Sequence, residues 1–288
     1  MNKPNYKERW QGYALLDSGD FAKLENFGGL LVARPEPLAI WNQVEAAKFK
    51  HADIGFQRGP GQDGKEGDWA VREEPPRNWQ ANYGALKFNL RLTAFKHVGI
   101  FPEQASNWDW IQKQIKPGQK VLNLFAYTGG ATLAAAQTGA QVVHVDSSKP
   151  AVAWAKENAE LSGLKNAPIR YLEDDVLKLA AREARRGHKY DAIFLDPPAF
   201  GRGPKGELWK FERDLPKLMN LLKAIINQKQ GHLLLNTYSL GFPGLAMEQL
   251  VRSTWPFVKE IKVEDLGLHE ENQRGFVLPA GFATRASW

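Results

Sequence analysis

Val121-Leu-Asn-Leu-Phe-Ala-Tyr-Thr-Gly-Gly-Ala-Thr-Leu-Ala-Ala-Ala-Gln-Thr-Gly-Ala-Gln-Val-Val-His-Val-Asp146 is a complete strand–turn–helix–strand sentence. Val121–Phe125 is an apolar run of strand length. Gly129 and Gly130 allow a sharp turn and a close approach of backbone to a ligand. The alanine-rich segment from Gly129 to Thr138 reads as a helix. Gln141–Val145 is a second apolar run, and Asp146 closes it 17 residues after Gly129. An acidic side chain at that place hydrogen-bonds ribose hydroxyls in nucleotide-binding folds, and it can also simply cap the next helix.

The pattern continues downstream. Pro150–Ser162 reads as a helix, Ile169–Leu172 as a strand, Val176–Arg186 as a helix and Asp191–Leu195 as a strand. Leu215–Gln228 reads as a helix and His232–Asn236 as a strand. Upstream, Ser106 is placed to cap a helix running to about Ile115, ended by Pro117-Gly118. Apolar strands without alternation, separated by helices, predict an α/β fold: a Rossmann-like, doubly wound, mostly parallel seven-stranded sheet.

The first hundred residues differ. Tyr13–Leu16, Leu30–Ala33, Trp69–Val71 and Ala85–Leu92 are short candidate strands, and Phe88, Leu90 and Leu92 alternate with Asn89 and Arg91. Gly55, Gly59, Gly61, Gly64 and Gly67, with Pro60, predict an exposed loop, and Pro75-Pro76 a turn. The expected division is therefore a β-rich accessory region over 1–100 and a ligand-binding α/β domain over 101–288.

Ligands of doubly wound sheets bind outside the carboxyl ends of the strands. Three more positions there bear chemistry. Asp174 and Asp175 follow the third strand; one suits an amino-group contact and the other a helix cap. Leu195-Asp196-Pro197-Pro198-Ala199-Phe200 follows the fourth. Two prolines remove two amide donors and hold the chain extended. A carboxylate beside a bare carbonyl makes an acceptor pair for a planar amino group, and Phe200 can stack on a flat ring.

These loops together resemble class I S-adenosylmethionine-dependent methyltransferases over about residues 85–288. Asn123-Leu-Phe-Ala-Tyr-Thr-Gly-Gly and Asp196-Pro-Pro-Ala-Phe resemble the cofactor and catalytic loops of the ribosomal RNA large-subunit methyltransferase family. Ala155-Lys-Glu-Asn158-Ala-Glu-Leu resembles its second helix, and Phe95-Lys-His-Val-Gly-Ile-Phe-Pro-Glu-Gln104 its lead-in segment. The resemblance implies S-adenosyl-L-methionine as cofactor. It implies cofactor contacts at Gln104, Asn123, Phe125, Tyr127, Thr128, Gly129, Gly130, Asp146, Ser147, Asp174 and Asp175. Of these, Asp146 would hold the ribose, Asp174 or Asp175 the adenine side, and the Tyr127–Gly130 turn the methionine portion. Catalysis would fall to Asp196, Pro197 and Phe200, facing the methyl acceptor. RNA, ribosomal in that family, is the implied partner.

The chain departs from the family in three places. Basic residues usually follow the Gln; here Asn107 and Trp108 do. No match to an N-terminal RNA-binding PUA module is evident. The cytosine-C5 members use a Cys nucleophile, often after the fifth strand, whereas this chain has no Cys and reads Asn236-Thr-Tyr-Ser239-Leu there. A ring or amino nitrogen can attack a methyl sulfonium directly; carbon 5 of a pyrimidine needs covalent activation by a nucleophile. Nitrogen methylation of a base is the expected chemistry.

Composition bounds these readings. The 288 residues are 43% hydrophobic and 24% charged, with 38 basic and 32 acidic side chains. A net charge of +6 tolerates a polyanionic partner without demanding one. The most basic cluster is Arg182, Arg185, Arg186 and Lys189, which also suits a plain helix end. Lack of Cys removes disulfides and thiolate metal sites, and the six His residues have no ligand spacing, so no metal is expected. His97, in the lead-in segment, reads as a packed or surface His. The ten Trp residues read as packing. The Gly201–Gly206 loop reads as mobile, with Arg202 and Lys205 available to phosphates. No apolar run reaches the ~18 residues of a membrane span, and a cytoplasmic protein is expected. The oligomeric state is not encoded in these patterns. Other readings stay open: a methyltransferase of small molecules or proteins, or a non-catalytic RNA-binding protein that keeps the fold. A nicotinamide oxidoreductase would need Gly-x-Gly-x-x-Gly after the first strand, which is missing.

Overall fold

The computed structural model describes residues 9–58, 67–238 and 241–288. Two compact units emerge: Met1–Ala105 with Gly267–Pro279, and Ser106–Leu266 with Ala280–Trp288. The sequence placed the division near residue 100 with contiguous pieces; instead a C-terminal segment belongs with the first unit.

The first unit is β-rich. Its strands are β1 (Trp10–Gln11), β2 (Tyr13–Gly19), β3 (Ala22–Phe27), β4 (Leu30–Pro35), β5 (Ile54–Arg58), β6 (Gly67–Val71), β7 (Gln80–Tyr83) and β8 (Leu86–Asn89). A short helix, α1 (Ala46–Lys50), precedes β5. One sheet has the order β2-β3-β4-β5-β6, a second β1-β7-β8. The expected glycine loop is strand at both ends, Gly55 in β5 and Gly67 in β6; Gly59, Gly61 and Gly64 lie outside the described residues. A Cβ on Gly67 would sit 2.1 Å from the Gln57 carbonyl oxygen, so that strand pair closes only on glycine.

Charges are buried in this unit. Arg34 Nε donates to Glu25 Oε2 at 2.8 Å, and the Tyr13 hydroxyl donates to Glu25 Oε1 at 3.2 Å. Lys23 lies 3.3 Å from Glu36 and 3.9 Å from Glu25. Arg274 fastens the C-terminal segment to β2: Nη2 reaches Asp17 Oδ1 at 3.0 Å, Glu270 Oε1 at 2.6 Å and the Ser18 carbonyl at 2.7 Å.

The second unit begins with α2 (Ala105–Gln114), preceded by a 3-10 turn at Pro102–Gln104. Ser106 is therefore inside the helix and does not cap it; its hydroxyl accepts from Arg285 Nη2 at 3.0 Å. Then follow β9 (Lys120–Leu124), α3 (Gly130–Ala136), β10 (Gln141–Asp146), α4 (Lys149–Leu161), β11 (Ile169–Glu173), α5 (Val176–Arg185) and β12 (Ala192–Leu195). A hairpin, β13 (Phe200–Arg202) and β14 (Leu208–Lys210), leads into α6 (Phe211–Lys223). β15 (His232–Thr237), α7 (Gly244–Thr254), β16 (Glu260–His269) and β17 (Val277–Ser287) complete the chain.

The sheet order is β11-β10-β9-β12-β15-β17-β16. β11, β10, β9, β12 and β15 run parallel, and β17 is antiparallel to β15. This is the expected seven-stranded, mostly parallel, doubly wound sheet. On one face Leu122, Leu124, Ile193, Leu195, Leu233 and Leu235 form a buried core with Leu179 of α5, Leu218 and Met219 of α6 and Val251 of α7. Alternate residues of the same strands point the other way. Several Trp side chains are buried and aim their indole N–H at a carbonyl, as Trp79 does at Phe27 and Trp255 at Met219. Among the described residues no helix is long and apolar enough to cross a membrane.

Candidate active site

The chain order reverses between β9 and β12, and the crevice of a doubly wound sheet opens at such a reversal. Hydrogen bonds link the loops along the carboxyl edge. The Ala126 amide donates to the Val145 carbonyl at 3.0 Å, Asp174 to Asp146 at 3.1 Å, and Asp196 to Leu124 at 3.4 Å. Four of the sequence-selected loops thus share one edge.

Asp146 is the centre of this arrangement. Its Oδ2 accepts from the Tyr127 amide at 2.8 Å and its Oδ1 from the Ser148 amide at 2.9 Å. Burial raises the carboxyl above its ordinary range, opposed by the Ser148, Tyr127 and Ser147 amides. Ser147 is half-buried beside it, while Ser148 caps α4 through a hydroxyl that accepts from Ala151 at 3.3 Å. The turn that Asp146 holds is unusual: Phe125 (φ 56) and Tyr127 (φ 47) are both left-handed without being glycine. Such conformations are retained where the surroundings enforce them, most often at functional sites.

The glycines serve packing first. Gly129 is left-handed (φ 95), and a Cβ there would lie 3.1 Å from Ala155 Cβ of α4. A Cβ on Gly130 would lie 2.7 Å from the Trp108 indole. Close approach of helices is thus one reason for glycine at both positions. Asn123 and Thr128 also face inward. Asn123 Nδ2 donates to Thr132 Oγ1 at 2.9 Å, and the Thr128 carbonyl accepts from Asn158 Nδ2 at 2.9 Å. Both side chains are buried, so only their main chain is left to meet a ligand.

Of the two adjacent acids after β11, one serves as a helix cap. Asp175 caps α5, its Oδ1 accepting from Lys178 at 2.9 Å. Asp174 pairs with Arg182. Gln104 lies in the first unit, at the end of the 3-10 turn. His97, in that unit too, is packed against Phe101 at 5.0 Å between ring centroids. Burial, then Arg34 and Lys96, push its pKa down to about 3.

The Asp196 loop is held by residues that sequence reading did not select. Trp209 Nε1 donates to the Pro198 carbonyl at 2.8 Å, and the Phe211 amide to the Ala199 carbonyl at 3.0 Å. The Trp209 ring meets Phe125 edge-on at 4.8 Å, joining this loop to the β9 turn. Of three successive carbonyls, that of Pro197 keeps no hydrogen-bond partner among the described residues. Phe200 is 43% exposed on β13. The Gly201–Gly206 segment, read as a loop, comprises the end of β13 and the tip of the β13–β14 hairpin, and the following Glu207 pairs with Lys178 of α5. Ser239 and Leu240 lie outside the described residues.

His144, on β10 beneath this edge, is fully buried; its Nδ1 lies 2.9 Å from Thr132 Oγ1. Burial, then Lys156, push its pKa down to about 3. An unfolded His titrates near 6.5, so below that pH the unfolded chain binds a proton that the folded one refuses. Stability should fall with decreasing pH between about 6.5 and 3, by up to about 1.4 kcal/mol per pH unit from this residue. Urea unfolding at several pH values, compared with His144→Gln, checks this; equal slopes would refute it.

The comparisons with known proteins bear on this edge. A family model described as S-adenosylmethionine-dependent methyltransferase matches residues 35–252. The chain belongs to that family. A SAM-dependent methyltransferase from Agrobacterium tumefaciens has the same fold, with a TM-score of 0.87 at 38% identity, over 96% of this chain and 90% of that one. Ribosomal RNA large subunit methyltransferase I of Photobacterium profundum is 32% identical over 68% of this chain and 48% of its own length. Ribosomal RNA large subunit methyltransferase K/L of Shewanella frigidimarina is 36% identical over 50% of this chain and 20% of its own length. The chain thus spans between a fifth and a half of these two curated relatives. The methyl donor of the family is S-adenosylmethionine.

Proposed function

We propose that this methyltransferase acts on RNA and places the methyl group on a base nitrogen. The observation that carries the reading is the Asp196–Pro197 acceptor pair, a carboxylate and a bare carbonyl on a loop clamped by Trp209 and Phe211. A planar amino group offers the two N–H donors that such a pair accepts. The exposed Phe200 ring adds a stacking surface on the same loop. The names of the two ribosomal RNA relatives support RNA as the substrate class.

The carboxyl edge fits the donor. Asp146 offers carboxylate lone pairs at the end of β10, beside a turn with two left-handed non-glycine residues. In this reading Asp146 and Ser147 hold the ribose, Asp174 stands on the adenine side, and the main chain from Phe125 to Gly130 supports the methionine portion. Gln104 remains a candidate contact from the lead-in segment.

When bound, S-adenosylmethionine supplies an electrophilic methyl on a sulfonium. The chain contributes position. Asp196 and the Pro197 carbonyl accept hydrogen bonds from the target amino group and aim its lone pair along the line of displacement. Phe200 covers a face of the base. With no Cys anywhere in the chain, no thiolate is present to activate a pyrimidine carbon. A base within a duplex must be flipped or already unpaired.

The test is incubation of the purified protein with methyl-labelled donor and unmodified ribosomal RNA, followed by mapping of the labelled nucleotide. An N-methylated base is expected. A 5-methylcytosine product would overturn the nitrogen assignment, and transfer only to protein or small molecules would overturn RNA.

A further inference from the structure

The amino ends of the parallel strands, opposite the Asp196 loop, form a second concave surface. Lys120 opens β9, Arg170 is second in β11, and Gly187-His188-Lys189 lead into β12. With Tyr190 and Glu183 they line an open groove of about 490 Å³. Its single buried carboxylate is already engaged. Glu183 accepts from the Tyr190 hydroxyl at 2.9 Å, its Oε2 lies 2.6 Å from His188 Nδ1, and Arg186 stands 3.4 Å away. The neighbouring acid, Asp191, accepts from the Lys120 amide at 2.9 Å and from Asn227 Nδ2 at 3.3 Å.

Exposed cations surround this neutralised floor. Lys120, Arg170 and Lys189 stand at the groove, and Arg185 and Arg186 at the adjoining end of α5. Among the described residues Lys120, Arg170 and Arg185 form no ion pair. Lys189 Nζ is held by the Ala224 carbonyl at 2.7 Å, which fixes its charge in place without cancelling it.

We propose that this groove grips the phosphodiester backbone of the RNA substrate, as a second contact remote from the acceptor loop. The inference rests on the RNA reading above. The cations come from separate elements and are exposed, as backbone contacts are, not gathered around one enclosed phosphate. No exposed Phe, Tyr or Trp ring lines the groove for a base to stack on, since Tyr190 is buried with its hydroxyl engaged, and the exposed His188 ring is held against Glu183. Phosphate contacts of this kind position a nucleic acid without reading its sequence. β11 is the outermost strand of the sheet, so an RNA leaving the acceptor loop reaches the groove around an open edge. The path along a five-residue strand is about 16 Å.

The test is a salt titration. Binding of a fluorescein-labelled, mixed-sequence RNA oligonucleotide is followed by anisotropy for the wild type and for Arg170→Glu/Lys189→Glu. The double variant should bind about tenfold more weakly at low salt, with a log–log salt slope shallower by about 1.4, the loss of two single-strand phosphate contacts. S-adenosylhomocysteine affinity should stay unchanged. Arg170→Gln/Lys189→Gln, with an unaltered melting temperature, should show a smaller effect of the same sign. An unchanged slope in both variants overturns the proposal. So does competition by pyrophosphate or poly-glutamate that matches RNA, which would make this a small-anion or acidic-protein site. Methylation of RNA is measured in parallel. If the wild type methylates RNA and the variants keep the slope, only the groove is refuted; if it methylates none, the RNA reading falls and takes the groove with it.

Discussion

Asp196→Ala should lower kcat/KM for methyl transfer by 10²–10³-fold, an effect on the order of 3–4 kcal/mol on the transition state. The reason is geometric. The Pro198 and Ala199 carbonyls are taken by Trp209 and Phe211, and in the proposed pose the Pro197 carbonyl already accepts the other N–H, so no further neighbouring acceptor replaces the lost carboxylate. S-adenosylhomocysteine binding should change less than about twofold, because the proposed donor contacts lie on β10 and the β9 turn, where an alanine at 196 leaves the groups in place. Asp196→Asn keeps one acceptor oxygen and should retain part of the activity. The measurements are initial rates of labelled methyl incorporation and calorimetric binding of the product cofactor. Full turnover by the alanine variant would remove Asp196 from the acceptor site.

The second large effect concerns stability. Arg34→Ala should destabilise the first unit by about 3–5 kcal/mol, because it leaves the buried Glu25 without its hydrogen-bonded ion partner and with only the more distant Lys23, at 3.9 Å, as a charge partner. Burial alone would raise the Glu25 carboxyl; Arg34, then Lys23, more than offset that and hold it below the usual carboxylate range. A depressed carboxylate stabilises the fold above its unfolded pKa and loses that contribution as pH falls through the folded one. The gap between wild type and variant should therefore narrow on acidification. Arg34→Met combined with Glu25→Met should recover part of the loss, since it removes both charges and costs only neutral hydrogen bonds such as the one from the Tyr13 hydroxyl. Hydrogen exchange of the β3 and β4 amides at neutral and acid pH separates these outcomes. A loss that is the same at both pH values would place the cause in packing.

That buried pair also explains why the first unit was hard to read. β3 is Ala-Lys-Leu-Glu-Asn-Phe, which looks like an exposed segment until Lys23 and Glu25 are seen inside the core with their partners. The joining of Gly267–Pro279 to β2 rests on Arg274 meeting Asp17 across more than 250 residues, and no local pattern encodes that. By contrast, β9 to β12 were legible because each strand carries a short apolar run, uninterrupted in β12, and the helices between them carry caps such as Ser148 and Asp175. α6 was read from Leu215; it begins at Phe211, where Asp214 accepts from the Lys210 amide at 2.9 Å and closes the first turn.

The candidate site was legible in part. Asp146, Asp196 and Phe200 stand on the carboxyl edge because strand ends bring them there. Asn123 and Thr128 carried the right spacing but have buried side chains. Trp209 was missed because a lone tryptophan after a glycine-rich segment reads as packing; its indole N–H on the Pro198 carbonyl is a tertiary contact, 11 residues away.

Helix α5 links two ends of the second unit. Its first turn carries the Asp175 cap and Lys178, which docks the hairpin that follows the acceptor loop. Its last turns carry Glu183 and Arg185 at the cationic groove. Ten residues make a rigid ruler of about 15 Å. One inserted residue would turn the far end by about 100° and advance it by about 1.5 Å. On the proposal of an RNA-gripping groove, α5 would set part of the spacing between the gripped phosphates and the modified base, and changing its length would shift the end that carries Glu183 and Arg185 relative to the hairpin.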